Sequence, residues 1–261
     1  MSIVNELASK FIQRSDVKAV QQSNGIYTPD RTKFTRQDLE DHIAGKKSYG
    51  HYMINPEGNC KLFAFDIDLA KSWLFISPHS GGTTKPPEET WTPDGVLPFS
   101  PRTIFADPSN VHRKRLIVEL RSVAEGLAAR AQRTLDIPVA ISFSGSKGLH
   151  VYGFTGSSPA FAIREAAMEI IKSFEVFEPI RGDNFYRHTN DPQWGFPNIE
   201  IEVFPKQGSL EGKDLGNLMR LPLGRNKKGG EAFFVDPNAP EDQLVAVDPA
   251  HALSGGDLWK S

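Results

Sequence analysis

Asp66 and Asp68 lie two residues apart in Phe63-Ala64-Phe65-Asp66-Ile67-Asp68-Leu69, and Glu200 and Glu202 repeat that spacing in Ile199-Glu200-Ile201-Glu202-Val203. On a β-strand, residues i and i+2 share a face, so each pair of carboxylates points one way while Phe65, Ile67 and Leu69 pack the other. Like charges held so close repel, and a cation bound by both removes the cost. Three or four carboxylates on neighbouring strands can hold two magnesium or manganese ions, the arrangement used for in-line phosphoryl chemistry. A lone D-x-D also occurs by chance at ordinary strand edges and in sugar transferases, so the second acidic strand carries much of the weight.

Between the acidic strands stands Val139-Ala140-Ile141-Ser142-Phe143-Ser144-Gly145-Ser146-Lys147-Gly148-Leu149-His150-Val151-Tyr152-Gly153-Phe154. Read with period two, it is a hairpin with Ile141, Phe143, Leu149 and Val151 on an apolar face. Ser142, Ser144, His150 and Tyr152 form the opposite face, and Lys147 sits at the tip. Gly145 and Gly148 give the backbone freedom and leave amide N–H groups bare, which suits phosphate. The plainer alternative is a two-sided hairpin whose polar face is merely solvated. With the acids in place, Ser144, Ser146, Lys147 and His150 form a candidate cradle for a triphosphate. Lys206, Asn217, Arg220 and Arg225 add cationic and amide donors downstream, and a guanidinium can meet a phosphate with two parallel bonds. The substrate class these residues suggest is a nucleoside triphosphate attacked at its α-phosphate.

The elements that must position these residues follow from pattern. Residues 2–13 read as an amphipathic helix with Ile3, Leu7, Phe11 and Ile12 on one side, and a second helix starts at Thr35 and stops at Gly45. Strands are expected over Tyr49–Ile54 and Lys61–Leu69 across the Asn55–Asn59 turn, and Gly25–Lys33 reads as loop with at most a short strand at Tyr27. Residues 78–108 are rich in Pro, Gly and Thr and read as an insertion loop, anchored if at all by Trp91, either a linker or a lid. A long helix spans 111–135. Its opening Arg113-Lys114-Arg115 opposes the helix dipole, so it is either solvated or meets an anion. Ser158-Pro159 should cap a helix running to Phe177. Residues 181–197 read as irregular, Ile199–Phe204 and Asn217–Leu221 as strands, and the tail after Pro237 as turns.

Composition narrows the classes. The 261 residues hold 30 Lys and Arg against 32 Asp and Glu, a net charge of −2, so any contact with a polyanion must come from local clusters. The candidates for nucleic acid are Arg113, Lys114 and Arg115, and Arg225, Lys227 and Lys228. The single cysteine, Cys60, rules out an intramolecular disulfide and a zinc site built on several thiolates. No apolar run reaches membrane-spanning length and the N-terminus lacks the shape of a signal peptide, so a cytoplasmic protein without membrane contact is expected.

Taken in order, D-I-D, S-G-S-K-G-L-H and I-E-V-F resemble motifs I, II and III of the archaeo-eukaryotic primase superfamily. S-G-S-K-G-L-H-V-Y is similar to the polymerase domain of bacterial ligase D. E-V-F-P-K-Q with G-N-L-M-R-L-P-L-G, and Tyr49-Gly50-His51-Tyr52 before motif I, look more like the primase-polymerases of conflict (TOTE-like) and CRISPR-associated systems. The resemblance covers roughly residues 48–225. It implies an α+β fold: an RNA-recognition-motif-like antiparallel sheet bearing the acids, with a smaller α/β lobe, in one catalytic domain over 1–261. It also implies Asp66, Asp68 and Glu202 as ligands of two Mg²⁺ or Mn²⁺ ions, Glu202 being chosen over Glu200 because it precedes Val203-Phe204-Pro205-Lys206. Ser144, Lys147 and His150 match residues that hold the incoming triphosphate, Asn217 and Arg220 further phosphate contacts, and Tyr52 an aromatic near the sugar. The implied activity is that of a DNA primase-polymerase acting on NTPs or dNTPs with single-stranded template and primer, alongside a helicase or other replication or defence partner. Two rivals are a metal-dependent nuclease, suggested by Glu202 with Lys206, and a non-catalytic nucleic-acid or nucleotide-binding module.

Overall fold

The computed structural model describes residues 2–69, 101–110, 113–188 and 199–254, without the side chains of 101–103 and 188. The elements in chain order are α1 (Ile3–Phe11), β1 (Lys18–Gln21), β2 (Tyr27–Asp30), α2 (Arg36–Ile43), β3 (Tyr49–Tyr52), β4 (Asn59–Leu69), α3 (Pro101–Ala106) and α4 (Arg113–Leu135). There follow β5 (Val139–Phe143), β6 (Gly148–Pro159), α5 (Ala160–Lys172), β7 (Phe177–Pro179), β8 (Phe185–His188), β9 (Ile199–Phe204), β10 (Leu218–Arg220), β11 (Phe233–Phe234) and α6 (Pro249–Leu253). This is the α+β architecture with antiparallel sheets that the motifs implied.

Two sheets organise the molecule. The larger has strand order β11-β5-β6-β4-β9-β8-β7 and the smaller β10-β3-β1-β2, every recorded pairing being antiparallel. β4 lies at the centre of the larger sheet because its alternate residues Phe63, Phe65, Ile67 and Leu69 are fully buried. Such a strand is stable only with neighbours on both edges and a layer over its apolar face. α4 and α5 supply that layer through Leu116, Leu120, Leu127, Ile163, Ala167 and Ile171, all in one core with β4. The opposite face is thereby left for chemistry.

Local signals explain the boundaries. Ser2 accepts the Asn5 amide at 3.4 Å to start α1, whose Val4, Leu7 and Phe11 are buried. At α2, Thr35 and Asp38 form a reciprocal capping box. Asp38 also takes the buried Lys18 at 2.6 Å and the Tyr49 hydroxyl at 2.8 Å, tying α2 to β1 and β3. Burial alone would raise the Asp38 carboxyl, but Lys18, Thr35 and Tyr49 outweigh it and hold it down at about 2.

The possible short strand at Tyr27 is present over residues 27–30, where pairing with β1 satisfies the backbone. Several other expectations are corrected. β1, β8 and β11 are too short to show a period in sequence and exist through their ladder partners. β6 continues past Phe154 to Pro159, so Ser158 lies in a strand; α5 begins without a side-chain cap and stops at Lys172, short of Phe177. Within 78–108, residues 101–106 are helical, while the rest of the proposed insertion up to residue 100, Trp91 included, lies outside the described residues. The tail contains α6, capped by Asp248 with Pro249 in its first turn. Among the described residues no helix is long and apolar enough to cross a membrane.

Candidate active site

The register of the large sheet assembles the site. Ser142 of β5 faces His150 of β6, His150 faces Asp66 of β4, Asp66 faces Glu202 of β9, and Glu202 faces Phe185 of β8. One row further, Gly148, Asp68, Glu200 and Arg187 follow each other across the same four strands, β6 to β8. Directly opposed residues share a sheet face, so all four acids point into one cleft. The cleft measures about 970 Å³ and is lined by Asp66, Asp68, Glu200 and Glu202, by Lys147, Arg181, Arg187 and Lys206, and by Ile180 and Phe185.

Each acid is answered by its own base. Lys147 Nζ lies 2.8 Å from Asp68, His150 Nε2 3.2 Å from Asp66, Lys206 Nζ 2.7 Å from Glu202, and Arg187 3.1 Å from Glu200. The two aspartates are shifted in opposite directions. Burial works against ionising both. At Asp66 the field of His150, Lys147 and Lys206 outweighs it and the pKa falls below the usual carboxylate value. At Asp68 burial is joined by repulsion from Asp66, Lys147 does not offset the sum, and the pKa is raised.

The hairpin tip is built by close approach. A β-carbon at Gly148 would come 2.2 Å from Asp68 Oδ1, so only glycine lets this strand lie beside the acid. Gly145 has φ +76°, and a β-carbon there would sit 2.5 Å from the Gly230 carbonyl. Ser144 Oγ accepts the Ser146 and Gly148 amides, both at 3.3 Å, and so closes the turn from inside. Lys147, only 6% exposed, also donates to the Leu69 carbonyl. The Ser146 hydroxyl is buried with no hydrogen-bond partner. Behind His150, its Nδ1 is 2.9 Å from the Tyr152 hydroxyl, which lies 3.3 Å from Ser142 Oγ.

The sequence-derived residues therefore separate. Asp66, Asp68, Glu202, Lys147 and Lys206 line the cleft, and His150 stands against Asp66. Asn217 acts through another residue: its Oδ1 accepts the Lys206 amide at 2.6 Å and the Gln207 amide at 3.2 Å, fixing where Lys206 starts. Arg220 donates to the Leu223 carbonyl at 2.9 Å, and its buried guanidinium interacts with the neighbouring buried Tyr27 hydroxyl. Burial lowers the Arg220 pKa and pushes Tyr27 up to about 12. Tyr52 packs in a small second cluster with Val17 and Ala19 under the smaller sheet and is not among the cleft residues.

Neither basic patch lines the cleft. Arg113 lies over the Phe105 ring and Lys114 pairs with Asp242 at 2.8 Å, and with Arg115 they open α4, on the layer behind the sheet. Arg225, Lys227 and Lys228 are exposed around a turn that braces the hairpin: Asn226 Nδ2 donates to the Ser144 carbonyl at 3.1 Å and the Gly230 amide to that of Gly145. The residues that sequence reasoning missed are Ile180, Arg181, Phe185 and Arg187 on one wall. The alternation Phe185-Tyr186-Arg187 was their only signal, one period of a strand in a stretch that reads as irregular.

Among the described residues no three His, Cys, Asp or Glu side chains converge on a point where a metal ion would sit. The acids instead turn to four separate bases. The donor set nonetheless fits a hard dication: carboxylate oxygens only, from register-adjacent residues on one face. Asp66, Asp68 and Glu202 are the residues that would hold magnesium or manganese.

An antiparallel sheet whose central strands present carboxylates to a cleft, beside a hairpin carrying Lys147 at its tip and His150 on β6, is an arrangement that a nucleotidyltransferase core uses. Residues 3–189 match the TOTE conflict system, Archaeo-Eukaryotic Primase domain family, and the chain belongs to that family. The match includes motif I and the hairpin and ends before β9, so Glu202 enters the site through its register with Asp66. No curated protein matches the chain.

Proposed function

We propose that this protein is a DNA primase-polymerase that transfers nucleotides from NTPs or dNTPs to the 3′-hydroxyl of a primer on a single-stranded template. The observation that carries the reading is the adjacency of Asp66, Glu202 and His150 across three strands, which sets carboxylates beside phosphate-binding side chains. Lys147 at the hairpin tip and His150 on β6 meet the β- and γ-phosphates, and Lys206 offers a further cation. Ser146, with its unpartnered hydroxyl, is a further donor for the triphosphate, and Arg220 adds a buried positive charge. Asp66, Asp68 and Glu202 would hold two magnesium or manganese ions, and bound there the ions would lower the pKa of the attacking hydroxyl and neutralise charge on the phosphates. In the step itself the 3′-oxygen bonds to the α-phosphorus as the bond to the bridging oxygen breaks. Pyrophosphate leaves on the β6 side, and the hydroxyl proton passes to solvent at the cleft mouth.

Lys147, His150 and Lys206 are paired with Asp68, Asp66 and Glu202, so a phosphate that drew these side chains away would leave the three carboxylates open to a dication, and the two ligands would support each other's binding. The turn at Arg225, Lys227 and Lys228 lies beside the hairpin and suits backbone contact with template. The test is incubation with labelled single-stranded template, with and without primer, in Mg²⁺ or Mn²⁺, with products resolved on a gel. Extension of the primer is expected. Shortening of the labelled strand would instead identify a nuclease, and binding without any change of length a non-catalytic module.

A further inference from the structure

The cleft has two walls, and the reading above uses only one. His150 stands on β6 and Lys147 at the hairpin tip that leads into it. On the other side of the acids, β8 carries Phe185, directly opposite Glu202, and Arg187, opposite Glu200. Ile180 and Arg181, at the turn from β7 to β8, complete that wall. Strand order β6-β4-β9-β8 puts the walls three strand spacings apart, about 14 Å, with the acids between them.

This wall has the chemistry of a stacking surface. The Arg181 guanidinium lies over the Phe185 ring, 4.7 Å from its centroid, a cation–π pair. Ile180, 39% exposed, extends it with apolar surface that a folded chain ordinarily covers. Of the four cleft-lining cations, Lys147, Arg187 and Lys206 are paired with carboxylates, whereas Arg181 has no carboxylate partner among the described residues. Arg187 Nε is buried with no hydrogen-bond partner. Aromatic and guanidinium groups with N–H donors beside them accept nucleobases and phosphates without regard to sequence.

We propose that the β7–β8 wall, Ile180, Arg181, Phe185 and Arg187, seats the 3′-terminal nucleotide of the strand being extended. Its base stacks on the Arg181–Phe185 layer and its phosphate meets Arg181 and Arg187. The inference rests on the nucleotidyl-transfer reading. In an in-line displacement the attacking oxygen approaches opposite the leaving group, so with pyrophosphate held at β6 the 3′-hydroxyl must arrive from β8. The wall lies where that geometry requires the strand end.

The test uses the full chain and short single-stranded DNA carrying 2-aminopurine at the 3′ end, the 5′ end or the middle, without divalent ion or triphosphate. Quenching is expected for the 3′-terminal probe above the others. Phe185→Ala should abolish it and weaken binding at least fivefold, and Arg181→Ala, a change at an exposed residue, should do the same if Phe185→Ala perturbs folding. Equal quenching at all three positions, or 3′ quenching that survives both substitutions, would overturn the proposal. The two readings fail separately. Primer extension with an unchanged KM for primer in both variants removes the wall and keeps the polymerase. Specific 3′ quenching by a protein that never extends a primer removes the polymerase and keeps the wall.

Discussion

Tyr152 holds His150 from behind. The hydroxyl is 2.9 Å from His150 Nδ1, while His150 Nε2 lies 3.2 Å from Asp66 on the cleft side. Ser142 donates to the Tyr152 hydroxyl, which in turn partners Nδ1, so the other ring nitrogen, Nε2, is aimed at Asp66 and the cleft. Tyr152 is wholly buried and cannot itself touch a substrate, so it acts by orienting the imidazole.

Tyr152→Phe removes that bond, leaves Nδ1 and the Ser142 hydroxyl without their partner, and should cost about 1–2 kcal/mol at the site. Triphosphate affinity, measured calorimetrically with manganese, should fall roughly tenfold, with template affinity unchanged. Equal weakening of both ligands would place His150 outside the nucleotide site.

The two aspartates should behave oppositely in the metal-free protein. Asp66 is held ionised by His150, Lys147 and Lys206 despite its burial, so Asp66→Asn loses net stabilisation and Tm should fall. Asp68 is disfavoured as an anion by burial and by Asp66, so Asp68→Asn should leave Tm unchanged or higher. Both variants should lose nucleotide incorporation. An Asp68→Asn variant that still extends primer would remove it from the metal set.

Glu202 faces Asp66 and is paired with Lys206, while Glu200 faces Asp68 and is paired with Arg187. With Glu202 as the third ligand, as the motif resemblance implies, Glu202→Gln should abolish manganese-dependent extension, while Glu200→Gln should lower it severalfold through loss of the Arg187 contact. The reverse order of damage would shift the third ligand by one pleat repeat.

Acid should destabilise the fold through His42. Burial, with the charge of Arg220 nearby, lowers this pKa to about 4. The neutral ring accepts from the Tyr49 amide at 3.0 Å and donates to the Pro222 carbonyl at 3.0 Å. The unfolded chain protonates the same histidine near 6.5. Below that pH the unfolded state binds more protons, so stability is full above about pH 6.5 and falls as pH drops towards 4, by about 3 kcal/mol in all. Urea unfolding at pH 7.5, 6 and 5 should show the decline. In His42→Gln it should be shallower from a lower starting stability, and an identical slope would assign the effect to other groups.

What the sequence determined by itself was local. Period two in Phe65-Asp66-Ile67-Asp68-Leu69 and in Ile199–Val203 makes each strand present its acids on one side, because a strand has only two faces. Thr35 with Asp38, and Gly145 with Gly148, likewise mark a helix start and a tip that must approach something closely. What only the tertiary structure decided was which strands lie side by side. Asp66 and Glu202 are 136 positions apart in sequence, and no local pattern states their register. The short strands β1, β8 and β11 were invisible for the same reason: two to four residues hold no period, and their backbone groups are satisfied only by distant partners. Asn217 and Tyr52 read as ligand contacts from the motif resemblance, and the two basic patches from residue type. Packing makes Asn217 a brace for Lys206 and Tyr52 a core side chain, and sets Arg113, Lys114 and Arg115 behind the sheet. The wall of Arg181 and Phe185 entered the cleft by the same route, through a ladder with β9 that brings a seemingly irregular segment beside Glu202.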